Sequence, residues 1–114
     1  MPLTADNPTP VWCDFEPPVD LYDDGDAYTI VAEIPGASQS SINVVQSGLT
    51  LIVTGLRSLQ LEPGPQPHIE ADYGRFHRQI DLPSAVHPAG RDVSYSNGLL
   101  TIHLPKCPLL LASV

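Results

Sequence analysis

Apolar and polar residues alternate along most of this chain from residue 18 to residue 104, and this period of two constrains the fold more than any other feature. Successive side chains of a β-strand point to opposite faces, so the alternation predicts strands that each bury one face. The apolar series that share a face are Tyr28, Ile30, Ala32 and Ile34; Leu49, Leu51 and Val53; Phe76, Ile80 and Leu82; and Leu100, Ile102 and Leu104.

Turn-forming residues separate these runs at regular intervals. Gly25, Gly36 and Gly48 follow short runs, and Asn97-Gly98 is the strongest two-residue signal for a tight hairpin. The 13 prolines amount to about twice the usual ~5% share, and proline opposes helix interiors. Several short strands split by turns predict an all-β fold, an antiparallel β-sandwich.

The chain divides into three predicted parts. Residues 1–17 form a short proline-rich N-terminal arm, residues 18–106 the patterned domain, and residues 107–114 a short C-terminal tail. The arm carries Trp12 and Phe15, which either pack loosely on the edge of the domain or form a contact for a partner chain. The connection from Arg57 to Tyr73 is too long for a hairpin, and it is expected to carry a function, such as adding a strand to another sheet edge.

The negative net charge of the chain argues against two kinds of partner. Five Lys and Arg residues against 13 Asp and Glu residues give a formal charge of −8, which disfavours both nucleic acid and an anionic membrane surface. No stretch approaches the ~20 apolar residues of a membrane span, and no secretory signal is visible. Cys13 and Cys107 are interpreted as free thiols, with their pairing as the alternative, so the expected location is cytoplasmic.

The residues that could support catalysis or bind a metal lack the necessary spacing. The four histidines are on different segments, and the sequence has neither a nucleophile elbow nor a phosphate-binding loop. His68, Glu70 and Asp72 could share one face of a strand, but no second cluster supports a metal there. The acidic run from Asp23 to Asp26 lacks the downstream glutamate of a calcium loop, so it predicts a turn. We therefore expect no enzyme activity, no metal and no cofactor.

Four motifs occur in a fixed order along the chain. They are Glu33 to Gly36, Leu51 to Arg57, Gly74 to Pro83 and Asn97 to Lys106. The third is similar to the Gly-x-Phe-x-Arg-x-(aromatic or aliphatic)-x-Leu-Pro strand of the small heat-shock proteins, and the fourth to their Asn-Gly-Val-Leu-Thr-Ile-x-Leu-Pro-Lys strand. Residues 18–106 therefore resemble the α-crystallin domain of that family, in its bacterial and plant branch.

This resemblance implies an immunoglobulin-like sandwich that forms a homodimer. In that branch the long loop carries a strand that crosses to the partner subunit, and the matching acceptor edge is the first strand. Arg78, which the alternation places on an apolar face, matches an arginine of the subunit interface and is expected to need a carboxylate partner. The implied interface residues are Val19, Leu21, Tyr22, His68, Ile69, Glu70 and Arg78.

The resemblance also implies a groove between two edge strands, which accepts apolar residues from the tail of another subunit or from a client protein. The implied lining consists of Ile42, Val44, Val45, Val93 and Tyr95. Leu109 and Leu111 could serve as the tail anchors, although the spacer before them is shorter than usual. The arm is also shorter than is typical of the family, and both departures argue against large oligomers and strong activity.

The function implied is that of an ATP-independent holdase that binds non-native proteins and prevents their aggregation. Two alternatives stay open: a dimeric docking module with little holdase activity, and a co-chaperone of the CS-domain type. The long loop and Arg78 argue against the second alternative, because the resemblance to dimerising members includes both features.

Overall fold

Seven β-strands make up the fold in the computed structural model, which describes residues 13–58, 64, 68 and 72–107. Two single turns of 3-10 helix, Gln39–Ser41 and Pro88–Gly90, connect some of them. The strands are β1 Val19–Asp23, β2 Ala27–Glu33, β3 Asn43–Ser47, β4 Thr50–Arg57, β5 Gly74–Asp81, β6 Asp92–Ser96 and β7 Leu99–Pro105. No helix long and apolar enough to cross a membrane is found among the described residues.

The strands form two antiparallel sheets of unequal width. One sheet has four strands in the order β1-β2-β7-β6, and the other has three in the order β3-β4-β5. The rims of the first sheet are β1 and β6, and those of the second are β3 and β5. The predicted all-β antiparallel sandwich is thereby confirmed.

The core lies between the two sheets and consists of the apolar faces that the alternation predicted. Ile30, Ile102 and Leu104 from the wider sheet meet Leu51, Val53 and Phe76 from the narrower one, all with 0% of their surface exposed. Leu49 is the exception, because it lies in the turn between β3 and β4 and is 47% exposed. The prediction that Leu49 shares the buried face of Leu51 was therefore wrong: the strand begins one residue later.

The hairpin between β6 and β7 turns in two residues. Asn97 and Gly98 have positive φ angles of 55° and 78°, the combination that matches the twist of two antiparallel strands. This short turn sets the register in which Ser96 lies opposite Leu99 and Val93 opposite Ile102. The Asn-Gly signal in the sequence predicted this hairpin correctly.

Gly55, which has no side chain, leaves room for the ring of Phe76 in the core. Gly55 on β4 lies directly opposite Phe76 on β5, and a Cβ atom at Gly55 would overlap the ring of Phe76. The ring of Phe15 approaches Phe76 from the other side, with 5.8 Å between the ring centroids. Glycine at position 55 is therefore needed to seat the Phe76 ring in the core.

Replacing Gly55 with alanine should destabilise the fold. Extra volume in a packed core costs about 1–3 kcal/mol, and a lower midpoint in chemical denaturation would show this. In the Gly55→Ala background, Phe76→Leu should cost clearly less than it does alone, because the smaller side chain relieves the clash. Additive effects of the two substitutions would contradict this explanation.

Candidate functional site

An open pocket lies beside the rim strand β6, next to the segment that leads from the first 3-10 turn into β3. Its volume is about 160 Å³. The residues that line it are Gln39, Ile42, Val93, Ser94, Tyr95 and Leu100. The structure therefore brings Ile42, Val93 and Tyr95 together, as three of the five predicted groove residues.

The other two predicted groove residues lie on β3 and do not line the pocket. Val44 pairs with Val53 and packs half-buried against the core. Val45 points to the outer face of the sheet, where it pairs with Ile52 and is 47% exposed. On this side the pocket is lined by Gln39 and Ile42, which precede β3, and none of its lining residues belongs to β3 itself.

The exposure of Val93 follows from the unequal width of the sheets. Leu21, Ile30, Ile102 and Val93 form one row across the wider sheet, on its inner face. The two central members are fully buried, whereas Leu21 is 39% and Val93 40% exposed. The narrower sheet covers the middle of this row and leaves both ends partly uncovered. Each rim of the wider sheet therefore presents apolar surface that belongs to the inner face.

A phenol group fixes one wall of the pocket. The hydroxyl of Tyr95 donates to the carbonyl oxygen of Ile34 at 2.6 Å and accepts from the N–H of Ala37 at 3.2 Å. These bonds tie β6 to the connection that follows β2. The sequence identified Tyr95 as an apolar lining residue, but it did not predict this bridge, because both partners are backbone groups of a distant loop.

The rim strand β1 forms the second candidate surface. It pairs with β2 on one side and lies at the edge of the sheet on the other. Val19 is half-buried, Leu21 is partly exposed, and Tyr22 is 56% exposed on the outer face. Of the predicted crossing segment, His68 is described and is exposed. Ile69 and Glu70, and the tail anchors Leu109 and Leu111, are outside the described residues.

Arg78 lies close to the beginning of β1, between the two sheets. It shares the inner face of β5 with Phe76 and Ile80 and is half-buried, as the alternation predicted. Its Nη1 group donates a hydrogen bond to the carbonyl oxygen of Pro17 at 3.3 Å, and Pro17 is fully buried. One partner of Arg78 among the described residues is therefore a backbone carbonyl, and the expected carboxylate partner stays a prediction.

The acidic run between β1 and β2 forms a turn. One carboxylate oxygen of Asp24 accepts from the N–H groups of Ala27 and Asp26 at 2.8 and 3.0 Å, and Asp23 accepts from Gly25. These donors lower the pKa of Asp24 below its ordinary value. Lys106 is the largest cause of the lowered pKa of Asp23, through an ion pair of 2.7 Å.

These carboxylates accept hydrogen bonds from backbone N–H groups of the turn, and Asp23 also pairs with Lys106. Among the residues that the structure describes, no group of three or more His, Cys, Asp or Glu side chains could hold a metal ion. The Nζ atom of Lys106 also lies 4.7 Å from the centre of the Tyr28 ring. The acidic turn therefore anchors the end of β7 to the turn before β2.

Comparison with known proteins decides the family. The sequence pattern of the Hsp20/alpha crystallin family matches residues 20–109, which is most of the chain. The chain belongs to the Hsp20/alpha crystallin family. This family consists of small heat-shock proteins, which are chaperones rather than enzymes.

Individual family members agree in sequence over most of this chain. Heat shock protein 16 of Schizosaccharomyces pombe is 28% identical over 97 residues, which cover 82% of this chain and 68% of the yeast protein. The 22.0 kDa heat shock protein of Arabidopsis thaliana is 34% identical over 91 residues, which cover 77% of this chain and 47% of the plant protein. This chain thus spans between about half and two thirds of the length of these two small heat-shock proteins.

Solved structures of family members agree in fold. HSP18.5 from E. histolytica superimposes with a TM-score of 0.73 at 31% identity, over 80% of this chain and 88% of that one. The small heat-shock protein of Xylella fastidiosa, which has a distinct high order structure, gives 0.74 at 28% identity, over 84% of this chain and 90% of that one. The family resemblance that four motifs predicted is confirmed.

The acidic turn makes the stability of this family member depend on pH in a defined direction. The lowered pKa of Asp24 means that its bonds stabilise the fold above the ordinary value of about 3.9 and are lost as the pH falls through the lower, folded-state pKa. Asp24→Asn should lower the melting temperature at pH 7, and this difference should shrink between pH 5 and pH 2. Thermal melts at several pH values measure both effects.

Asp26→Asn is the matched control, because it makes the same chemical change in the same turn at a carboxylate that accepts none of these bonds. It should not reproduce the pH-dependent difference. A difference between Asp24→Asn and the wild type that stays constant down to pH 2 would contradict the role assigned to the ionised carboxylate.

Proposed function

We propose that this chain is an ATP-independent chaperone, a holdase that binds non-native proteins and prevents their aggregation. The observation that carries the proposal is the pocket that Ile42, Val93 and Tyr95 line beside the rim strand β6, next to the beginning of β3. The pocket combines partly exposed apolar side chains with strand edges at the same place. Membership of a chaperone family supports the same function.

Partly unfolded proteins expose the complementary surface. They present apolar side chains and unpaired backbone groups, which are the features that lead to aggregation. A rim strand can pair with an extended segment through main-chain hydrogen bonds, while a pocket beside it accepts alternate side chains. Such binding holds the non-native state by mass action and requires no nucleotide and no catalytic group.

The acidic charge of the chain fits this function. A net charge of −8 keeps complexes with unfolded clients soluble through mutual repulsion, and it disfavours nucleic acid and anionic membranes as partners. The proposed partners are therefore non-native proteins and further copies of this chain. The cytoplasm is the proposed location.

We propose that the chain also forms a homodimer through β1. Leu21 and Tyr22 leave apolar surface exposed at this rim, and Val19 lies half-buried beside them. An added strand from the segment around His68, Ile69 and Glu70 of a partner would cover this rim, with Arg78 nearby through its bond to Pro17. The anchors Leu109 and Leu111 are proposed to occupy the pocket of another subunit.

A charge introduced into the pocket should weaken the chaperone activity. The wild-type chain, at equimolar or excess concentration and without nucleotide, should suppress the light scattering of a thermolabile enzyme on heating. Val93→Asp should raise the concentration needed for half-suppression roughly fivefold, since about 1 kcal/mol of apolar contact is lost from a half-exposed valine.

Val45→Asp is the matched control, because it introduces the same charge at a valine of similar exposure on the outer face of the neighbouring rim strand. It should suppress aggregation as well as the wild type does. Equal loss in both variants would rule out the pocket as the binding site, and no suppression by the wild type at any ratio would rule out the holdase function.

Removing residues 63–72 should convert the proposed dimer into a monomer, because this deletion removes the segment that is expected to cross to β1 of the partner. Light scattering coupled to size-exclusion chromatography measures the mass directly. A dimer that survives the deletion would show that subunits pair along another rim, and a wild-type monomer would favour a co-chaperone of the CS-domain type.

A further inference from the structure

One rim of the narrower sheet is covered by the chain itself. Residues 13–17, here termed the N-terminal strap, run beside β5 and form a parallel bridge between Phe15 and Phe76. The N–H groups of Asp14 and Phe15 donate to the carbonyl of Arg75 at 2.8 and 3.3 Å, and the N–H of His77 donates to the carbonyl of Phe15 at 3.2 Å. The outward-facing backbone groups at the beginning of β5 are thus paired by the strap.

Side chains of the strap complete this cover. A carboxylate oxygen of Asp14 accepts from the backbone N–H of Arg75 at 2.8 Å. The ring of Phe15 packs on Phe76 at 5.8 Å. Gly74, with a φ angle of +105°, allows the close approach of Asp14, since a Cβ atom there would overlap the carboxylate. The beginning of β5 is therefore shaped to receive an extended segment that carries a carboxylate followed by an aromatic ring.

The strap is held by much less pairing than the strands of the sandwich. Its pairing with β5 is an isolated bridge, whereas β2 and β7 pair over seven residues and β4 and β5 over eight. The side chains of Asp14 and Arg75, 53% and 60% exposed, are 4.0 Å apart, so solvent screens their attraction. Short edge contacts of this kind open at lower free energy than central strands.

The beginning of β5 carries basic side chains, whereas its last residue is the acidic Asp81. Of the five Lys and Arg residues in an acidic chain, Arg75 and Arg78 are both on β5, and His77 lies between them. An incoming segment with acidic and aromatic residues is complementary to this strand in charge and in shape. The same segment would be repelled by the acidic turn at the end of β1.

We propose that the N-terminal strap is a displaceable cover, and that the β5 edge beneath it is a further binding edge for extended acidic and aromatic segments of non-native polypeptides. The strap occupies the edge in the resting protein, and a client segment replaces it by forming the same backbone bonds and the same ring contact. The choice of occupant rests on the proposed chaperone function, whereas the displacement of the strap does not.

The reactivity of Cys13, which lies in the strap, can measure how often the strap opens. Cys13 is 9% exposed and its thiol donates to the carbonyl of Phe15 at 3.3 Å. Burial raises the pKa of this thiol, so alkylation is slow while the strap is in place. In a Cys107→Ser background, the alkylation rate of Cys13 therefore measures how often the strap opens.

In this background, Cys13 should be alkylated at least tenfold faster than the rate set by global unfolding. Asp14→Asn and Phe15→Ala should each raise the rate a further fivefold or more, together with hydrogen exchange at the amides of Arg75 and His77. Asp26→Asn, which removes a carboxylate remote from the strap, should change neither rate. If Cys13 is alkylated only at the rate of global unfolding, the strap does not open by itself and the proposal of a displaceable cover is wrong.

A fluorescent peptide with the sequence of residues 13–18, carrying Cys13→Ser, tests the occupant. It should bind the Phe15→Ala chain at least tenfold more tightly than it binds the wild type, and it should compete with a heat-denatured client. The same peptide with Phe15→Ser should bind neither. Equal binding of both peptides would overturn the proposed occupant and assign the edge to nonspecific contacts. A doubling of mass in the Phe15→Ala chain without peptide would also overturn it and assign the edge to a second copy of the chain.

Failure of this proposal and failure of the holdase function are distinguishable. Peptide binding and Cys13 alkylation that behave as expected, with no suppression of aggregation by any variant, would sustain the displaceable strap and reject the holdase. Suppression of aggregation by the wild type, with Cys13 closed until global unfolding, would sustain the holdase and reject the strap.

Discussion

The burial of apolar faces between two sheets of unequal width is the constraint on which the rest of this structure depends. Four strands face three, so the inner face of the wider sheet is longer than the surface that covers it. Ile30 and Ile102 at its centre are fully buried, whereas Leu21 and Val93 at its two ends are partly exposed. The surface proposed for binding is thus an extension of the core.

The rims of the two sheets differ in how they are covered. The strap pairs with the beginning of β5, whereas β1, β3 and β6 lie at rims for which we propose contacts with other polypeptides. Uncovered strand edges are normally an aggregation hazard. In a chain that belongs to a chaperone family, we propose that the rims which no described residue covers bind segments of other chains, and that the acidic surface limits uncontrolled association.

Sequence reasoning succeeded where local rules act alone. The turn at Asn97-Gly98 was predicted correctly because positive φ angles favour these residues. The inward position of Arg78 followed from strand alternation. Leu49 was placed wrongly, since alternation cannot show at which residue a strand begins. The hydroxyl bridge of Tyr95 was missed because its partners are backbone groups 58 and 61 residues away in sequence.

The sequence by itself determined most of the strands, their buried faces and their tight turns, because each depends on residues that are close along the chain, and it indicated the family through four motifs in a fixed order. Only the tertiary structure decided which segments line the pocket, how far the narrower sheet covers the wider one, and that residues 13–17 lie on β5. These depend on contacts between segments distant in sequence. The exposure of Val93 shows this: its strand is predictable locally, but its access to solvent is set by the width of the opposite sheet.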